Sequence, residues 1–155
     1  MGRISFFAIF LVVTSFVLVP GIPASAEETI GVVQSAEGSA TITRGGKILS
    51  AATGTKLFAG DTLSTGPDGS VGITLRDDST LSLGPESSLV IRKFLFSPGK
   101  GKLGFLARLS SGTMAYLSGL IGKLAPESVR IETPTSTIGI RGTRFVMKAG
   151  DPVSR

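Results

Sequence analysis

"VGITLRDDSTLSLGPESSLVI", Val71 to Ile91, sets the terms for reading the rest of the chain. Apolar pairs stand at Ile73/Leu75, Leu81/Leu83 and Leu89/Ile91, each set eight residues after the last. Alternation of this kind is the period of a strand with one buried face. Between the pairs lie "RDDS" and "GPES", whose Asp, Ser, Gly and Pro favour tight turns. Short strands at regular spacing predict an all-β domain. Eight residues are too few for a whole solenoid coil, but they fit one side of a coil or one arm of a hairpin. Two architectures follow: a small solenoid-like stack of short strands, or a β-sandwich or meander.

The flanking sequence has the same character. Upstream, "TIGVVQSAEGSATITRGGKILS" gives two short runs with Gly45-Gly46 as a hairpin-like turn. "GTKLFAGDTLSTG" follows, with "AGD" as a compact turn before another short strand. Downstream, Ser97 to Lys102 reads as a flexible basic loop. From Leu103 to Leu124 two readings compete. Leu106, Leu109, Thr113, Tyr116 and Leu117 lie near helical spacing. Against a helix stand Gly104, Gly112, Gly119 and Gly122, each costing about 1 kcal/mol relative to Ala in a helix interior. The segment is expected to be strand-rich. "SVRIETP" then alternates cleanly until Pro134, and "TSTIGIRGTRFVMKAG" resumes extended structure.

The first 26 residues read differently. Arg3 supplies a positive charge, Ile4 to Val19 an apolar run, and "ASA" at Ala24 to Ala26 the small residues of a signal-peptide cleavage site. The apolar run is 16 residues with Thr14 and Ser15 inside it, whereas a membrane span needs about 20. A cleaved signal peptide over 1–26 and a β domain over 27–155 are expected, placing the protein in the periplasm or outside the cell. A retained N-terminal membrane anchor is the alternative.

Composition narrows the chemistry. The chain contains no Cys and no His, which removes disulfides, thiol nucleophiles, the usual proton shuttle and the usual zinc ligands. No G-x-S-x-G elbow occurs. Asp61, Asp68, Asp77 and Asp78 sit beside turns and match no calcium loop, so they read as turn formers. Asp77 and Asp78 are adjacent and point to opposite sides of a strand, unlike the paired carboxylates of a glycosidase. A protein that is not an enzyme, and that takes no cofactor or metal, is expected.

Charge suggests a partner. Without Arg3 the chain has 15 basic and 11 acidic residues. Six of the basic ones, Arg92, Lys93, Lys100, Lys102, Arg108 and Lys123, fall between Ser87 and Pro126, where no acidic residue occurs. The first five form a candidate interaction patch for an acidic protein face or an anionic polymer. A solvated rim is the plainer account of the same residues. Phe94 and Phe96 alternate after Arg92-Lys93, as on a nucleic-acid surface, but core packing suits them better and export makes nucleic acid an improbable ligand.

"ETPTSTIGIRGTRFVM", Glu132 to Met147, resembles the closing signature of the FecR-type periplasmic domain family, with its Thr-Pro pair, apolar run and Arg-Gly-Thr-x-Phe. "TGPDGSVGITLRDDSTLSL" is similar to the paired strands and acidic turn of that family's body, and the likeness runs from about Ile30 to about Met147. The resemblance implies an all-β, solenoid-like fold and a protein-binding role outside the cytoplasm. Its best-known members relay iron-siderophore status to a cytoplasmic sigma factor. Only Met1 to Arg3 precede the apolar run here, so no sigma-factor partner is expected. An envelope protein or polymer is the expected partner. A structural or adhesin-associated envelope module is the alternative. The motif residues Thr133, Pro134, Gly139, Arg141, Gly142, Thr143 and Phe145 are implied to be structural. Gly139 and Gly142 would let backbones approach at a corner, and Arg141 would donate to carbonyls left open there. A ligand-binding Arg141 is the competing role. Ile140 and Phe145 would be core, and Arg144 would face solvent.

Overall fold

The structure, a computed structural model, describes residues 27–150; the expected signal peptide lies outside them. Strands follow one another as β1 (Thr29–Glu37), β2 (Ala40–Arg44), β3 (Lys47–Ser50), β4 (Lys56–Phe58), β5 (Thr62–Thr65), β6 (Ser70–Leu75), β7 (Thr80–Leu83), β8 (Ser88–Ser97) and β9 (Lys102–Leu117). A short helix, α1 (Leu120–Leu124), then precedes β10 (Val129–Glu132), β11 (Thr137–Gly139) and β12 (Arg144–Ala149). The class is all-β, as the alternation predicted.

The apolar pairs of the central stretch sit where the period requires. Ile73, Leu75, Leu81, Leu83, Leu89 and Ile91 are all buried, while Thr74, Ser82 and Val90 between them are not. Each such side chain contributes about 1.5–3 kcal/mol by leaving water. "RDDS" closes the antiparallel β6–β7 hairpin, in which Ile73 faces Leu81. "GPES" does something else: β7 and β8 are not neighbours, so it carries the chain across from one half of the sheet to the other. The eight-residue recurrence thus serves a hairpin arm and a crossover, and the stack is made of antiparallel pairs rather than coils. Among the described strands, only β9 and β10 pair in parallel.

The strand path runs β3-β2-β5-β8-β9-β7-β6-β1-β4, curled into an open half-barrel. At the β2–β3 turn, Gly45 and Gly46 have φ of 53° and 80°, the positive pair that a two-residue hairpin favours. The curl centres on β9. Its first half lies between β8 and β10, and its second half between β7 and β12. Gly112 separates the halves with φ 85°, and a Cβ there would stand 2.1 Å from Ser87 Oγ. Only glycine fits this bend. The strand-rich expectation for Leu103 to Leu124 holds through Leu117, and helix is confined to five residues after Gly119.

Candidate interaction surface

Two buried polar clusters fix the scaffold. At the β6–β7 turn, Asp77 is 0% exposed. Its carboxylate accepts hydrogen bonds from Ser79 N (3.1 Å), Ser79 Oγ (2.7 Å) and Ile121 N (3.2 Å). Ser79 Oγ in turn accepts from Gly119 N at 3.0 Å and lies 3.1 Å from the Tyr116 hydroxyl. With the serine proton directed at Asp77, Tyr116 is the donor to Ser79. Burial pushes the Tyr116 hydroxyl pKa above the ordinary tyrosine value. A Cβ on Gly119 would meet Asp77 O at 2.1 Å, which is why the chain can pass so close. At the "AGD" turn, Asp61 accepts two bonds from Arg44, at 2.8 and 2.7 Å, and one from Phe58 N at 2.9 Å. The hydrogen bond to Asp61 raises the Arg44 pKa, and the guanidinium lies 4.4 Å over the Phe58 ring. Both aspartates are turn formers, and both are also buried clamps. Asp78 is exposed, so adjacent Asp77 and Asp78 share no cleft.

The basic patch is divided by the β8–β9 hairpin. Lys100 and Lys102 stand at its tip, next to the 3-10 turn Pro98–Lys100. Arg92, Lys93 and Arg108 lie further along. A bulge between Ile91 and Lys93 shifts the register, so Arg92 and Lys93 are both exposed before Phe94 turns back into the core. Phe94 is buried and Phe96 packs against the core, as expected of a packing pair.

Two cross-strand rows define the outer face. Lys93 pairs with Leu106, and Leu106 with Arg130. Val90 pairs with Arg108, and Arg108 with Glu132. Over the first row, and reaching Glu132 of the second, runs an open groove of about 450 Å³, bordered by Lys93, Gly104, Leu106, Glu127, Arg130 and Glu132; Arg108 stands beside it without bordering it. Arg92 approaches Glu132 at 3.8 Å. Lys93, Arg108 and Arg130 have no ion-pair partner among the described residues. Arg130 is the member that the sequence reading missed. The alternation in "SVRIETP" turned it outward, but nothing local told that β10 would lie parallel to β9. Lys123, on α1, is exposed and is not among the residues bordering the groove.

The motif residues gather around the β10–β11 turn and the entry to β12. Thr133 N donates to Ser136 O at 2.7 Å and Ser136 N to Thr133 Oγ1 at 3.0 Å, closing a turn that contains Pro134. Ile140 is buried and Phe145 packs on the core. Thr143 O accepts from Ser118 N at 2.8 Å. Arg144 is exposed, as anticipated. Arg141 departs from expectation: it is exposed and makes no side-chain hydrogen bond among the described residues. Gly139 and Gly142 depart as well. A Cβ on either would meet nothing within 4 Å, so no close approach requires them. Gly142 is required by its φ of 135° instead.

A protein-family model, FecR protein, matches residues 61–155. The match begins at the Asp61 clamp and takes in the groove and all the motif residues, leaving out β1 to β4. No curated protein and no solved structure matches the chain.

Proposed function

We propose that this chain, which belongs to the FecR family of regulatory and signalling domains, works in the cell envelope by docking a partner and not by catalysis. The groove over β8, β9 and β10 is the docking site. It receives an acidic segment of an envelope protein or polymer. One observation carries the reading: Lys93 and Arg130 flank apolar Leu106 across three adjacent strands, Arg108 stands two residues further along β9, and none of the three cations has an ion-pair partner among the described residues. Unpaired cations beside apolar surface suit an anionic group with an apolar stem. An exported chain with no His or Cys fits such a role better than acid–base or thiol chemistry. No helix among the described residues is long and apolar enough to cross a membrane.

The test is crosslinking capture from envelope extract, with the chain beside its Lys93→Glu/Arg130→Glu variant. Loss of the captured species in the variant, and weaker capture at higher salt, are the expected results. Undiminished capture by the variant would remove the groove from the proposal. Ile48, 73% exposed on the outermost strand β3, favours a second reading as an assembly module. Light scattering across a concentration series separates the two, since assembly requires mass to grow with concentration.

A further inference from the structure

We infer that the free edge of β12 accepts an extended acidic segment of a second protein as an added strand. Among the described strands, β12 pairs only with β9, and its other edge is open. Of the other strands that lack a neighbour along one whole side, β3 has four residues, and β4 and β11 three each, whereas β12 has six. β8 is also unpaired on one side from Arg92 to Ser97, but a bulge between Ile91 and Lys93 twists that edge at its start. Short edges are how folds discourage strand addition. A six-residue edge offers enough unpaired N–H and C=O groups to seat a peptide.

The side chains of β12 state what that peptide must be. Phe145, Met147 and Ala149 turn toward the core, and Arg144, Val146 and Lys148 turn out. Val146 is 68% exposed, and Leu117, opposite Arg144 on β9, is 46% exposed. A strand laid beside β12 therefore meets cation, apolar residue, cation at alternate positions of one face. Neither Arg144 nor Lys148 has an ion-pair partner among the described residues. The complement is an acidic residue on each side of an apolar one, at two-residue spacing.

A second copy of the chain fits poorly. With faces matched and overlap complete, antiparallel pairing sets Val146 against Val146 and Arg144 against Lys148 of the other copy. Like charges directly opposite are destabilising. A slip by one residue turns Met147 outward. The inference uses none of the groove residues, so it stands or falls separately from the groove.

The probe is a blocked synthetic peptide with glutamates flanking a central valine at alternate positions and threonines between. Its counterpart carries lysines in place of the glutamates. Both are titrated into the Lys93→Glu/Arg130→Glu variant, so that the groove does not compete for acid. The glutamate peptide should bind about tenfold tighter, since two cross-strand charge pairs change sign. Backbone amide shifts should be confined to β12 and its neighbours on β9. Adding Arg144→Glu/Lys148→Glu, at two exposed positions, should reverse the preference. Equal affinities, an unreversed preference, no binding at millimolar peptide, or shifts centred away from β12 would each overturn the inference. So would a dimer that dissociates when β12 is charge-reversed.

Discussion

At the scale of single residues, the buried network at Tyr116 gives the chain a chemical signature. Tyr116 is its only tyrosine, so its ionisation is read directly as tyrosinate absorbance. The folded hydroxyl is held above the ordinary value by burial. The folded state therefore keeps its proton where the unfolded chain has lost it, and stability falls as pH rises past about 10. The urea midpoint should decline above that pH in the native chain and decline less in Tyr116→Phe. Equal declines would show that Tyr116 is not the titrating group. Arg141 and Arg144 give the reverse case. Both are exposed and without side-chain hydrogen bonds among the described residues, so Arg141→Ala and Arg144→Ala should each shift stability by less than about 0.5 kcal/mol. Arg-Gly-Thr-x-Phe showed in sequence that the segment mattered. It did not show which member the backbone needs, because φ at Gly142 and a free Arg141 look alike in letters.

Elements were easier to read than their partners. The pairs Ile73/Leu75, Leu81/Leu83 and Leu89/Ile91 gave strand and buried face together, since a period of two leaves no other face to bury. Glycine gave less, because its reason varies from one site to the next. Gly112 and Gly104 lie on the same strand, and the structure separates them. Gly112 combines positive φ with a Cβ clash against Ser87, whose Cα would lie 2.4 Å away. Gly112→Ala should cost more than about 2 kcal/mol, from strain and displaced backbone together. At Gly104 a Cβ would come no nearer than 3.7 Å to Lys93 Cε, and no positive φ is involved. Gly104→Ala should keep stability within about 0.5 kcal/mol. Urea unfolding of the two variants measures the difference. A Gly112→Ala chain as stable as the parent would mean that β9 does not bend there.

For the whole molecule, the deciding fact is that one strand touches four others. β9 pairs with β8 and β10 along its first half and with β7 and β12 along its second. No local pattern announced this, because pairing across long separations is set by which faces bury together and not by propensity. The candidate surface was half visible for the same reason: Arg92, Lys93 and Arg108 stood in one basic stretch, whereas Arg130 joined them only through the parallel β9–β10 contact. An architecture hung on β9 has a thermodynamic consequence. Amides at Phe105, Ala107, Met114 and Tyr116 lie in a strand flanked on both sides, among buried side chains. They should open only when the whole domain unfolds, and so exchange at the rate set by global stability. β3 is fully exposed along its length and paired on one side. Its amides should exchange through local opening, at free energies well below the global value. Native-state hydrogen exchange under increasing urea resolves the two classes. If β3 and β9 merged into one isotherm from the lowest urea upward, β3 would be part of the same cooperative unit, and an exposed edge would not be the weak end of this fold.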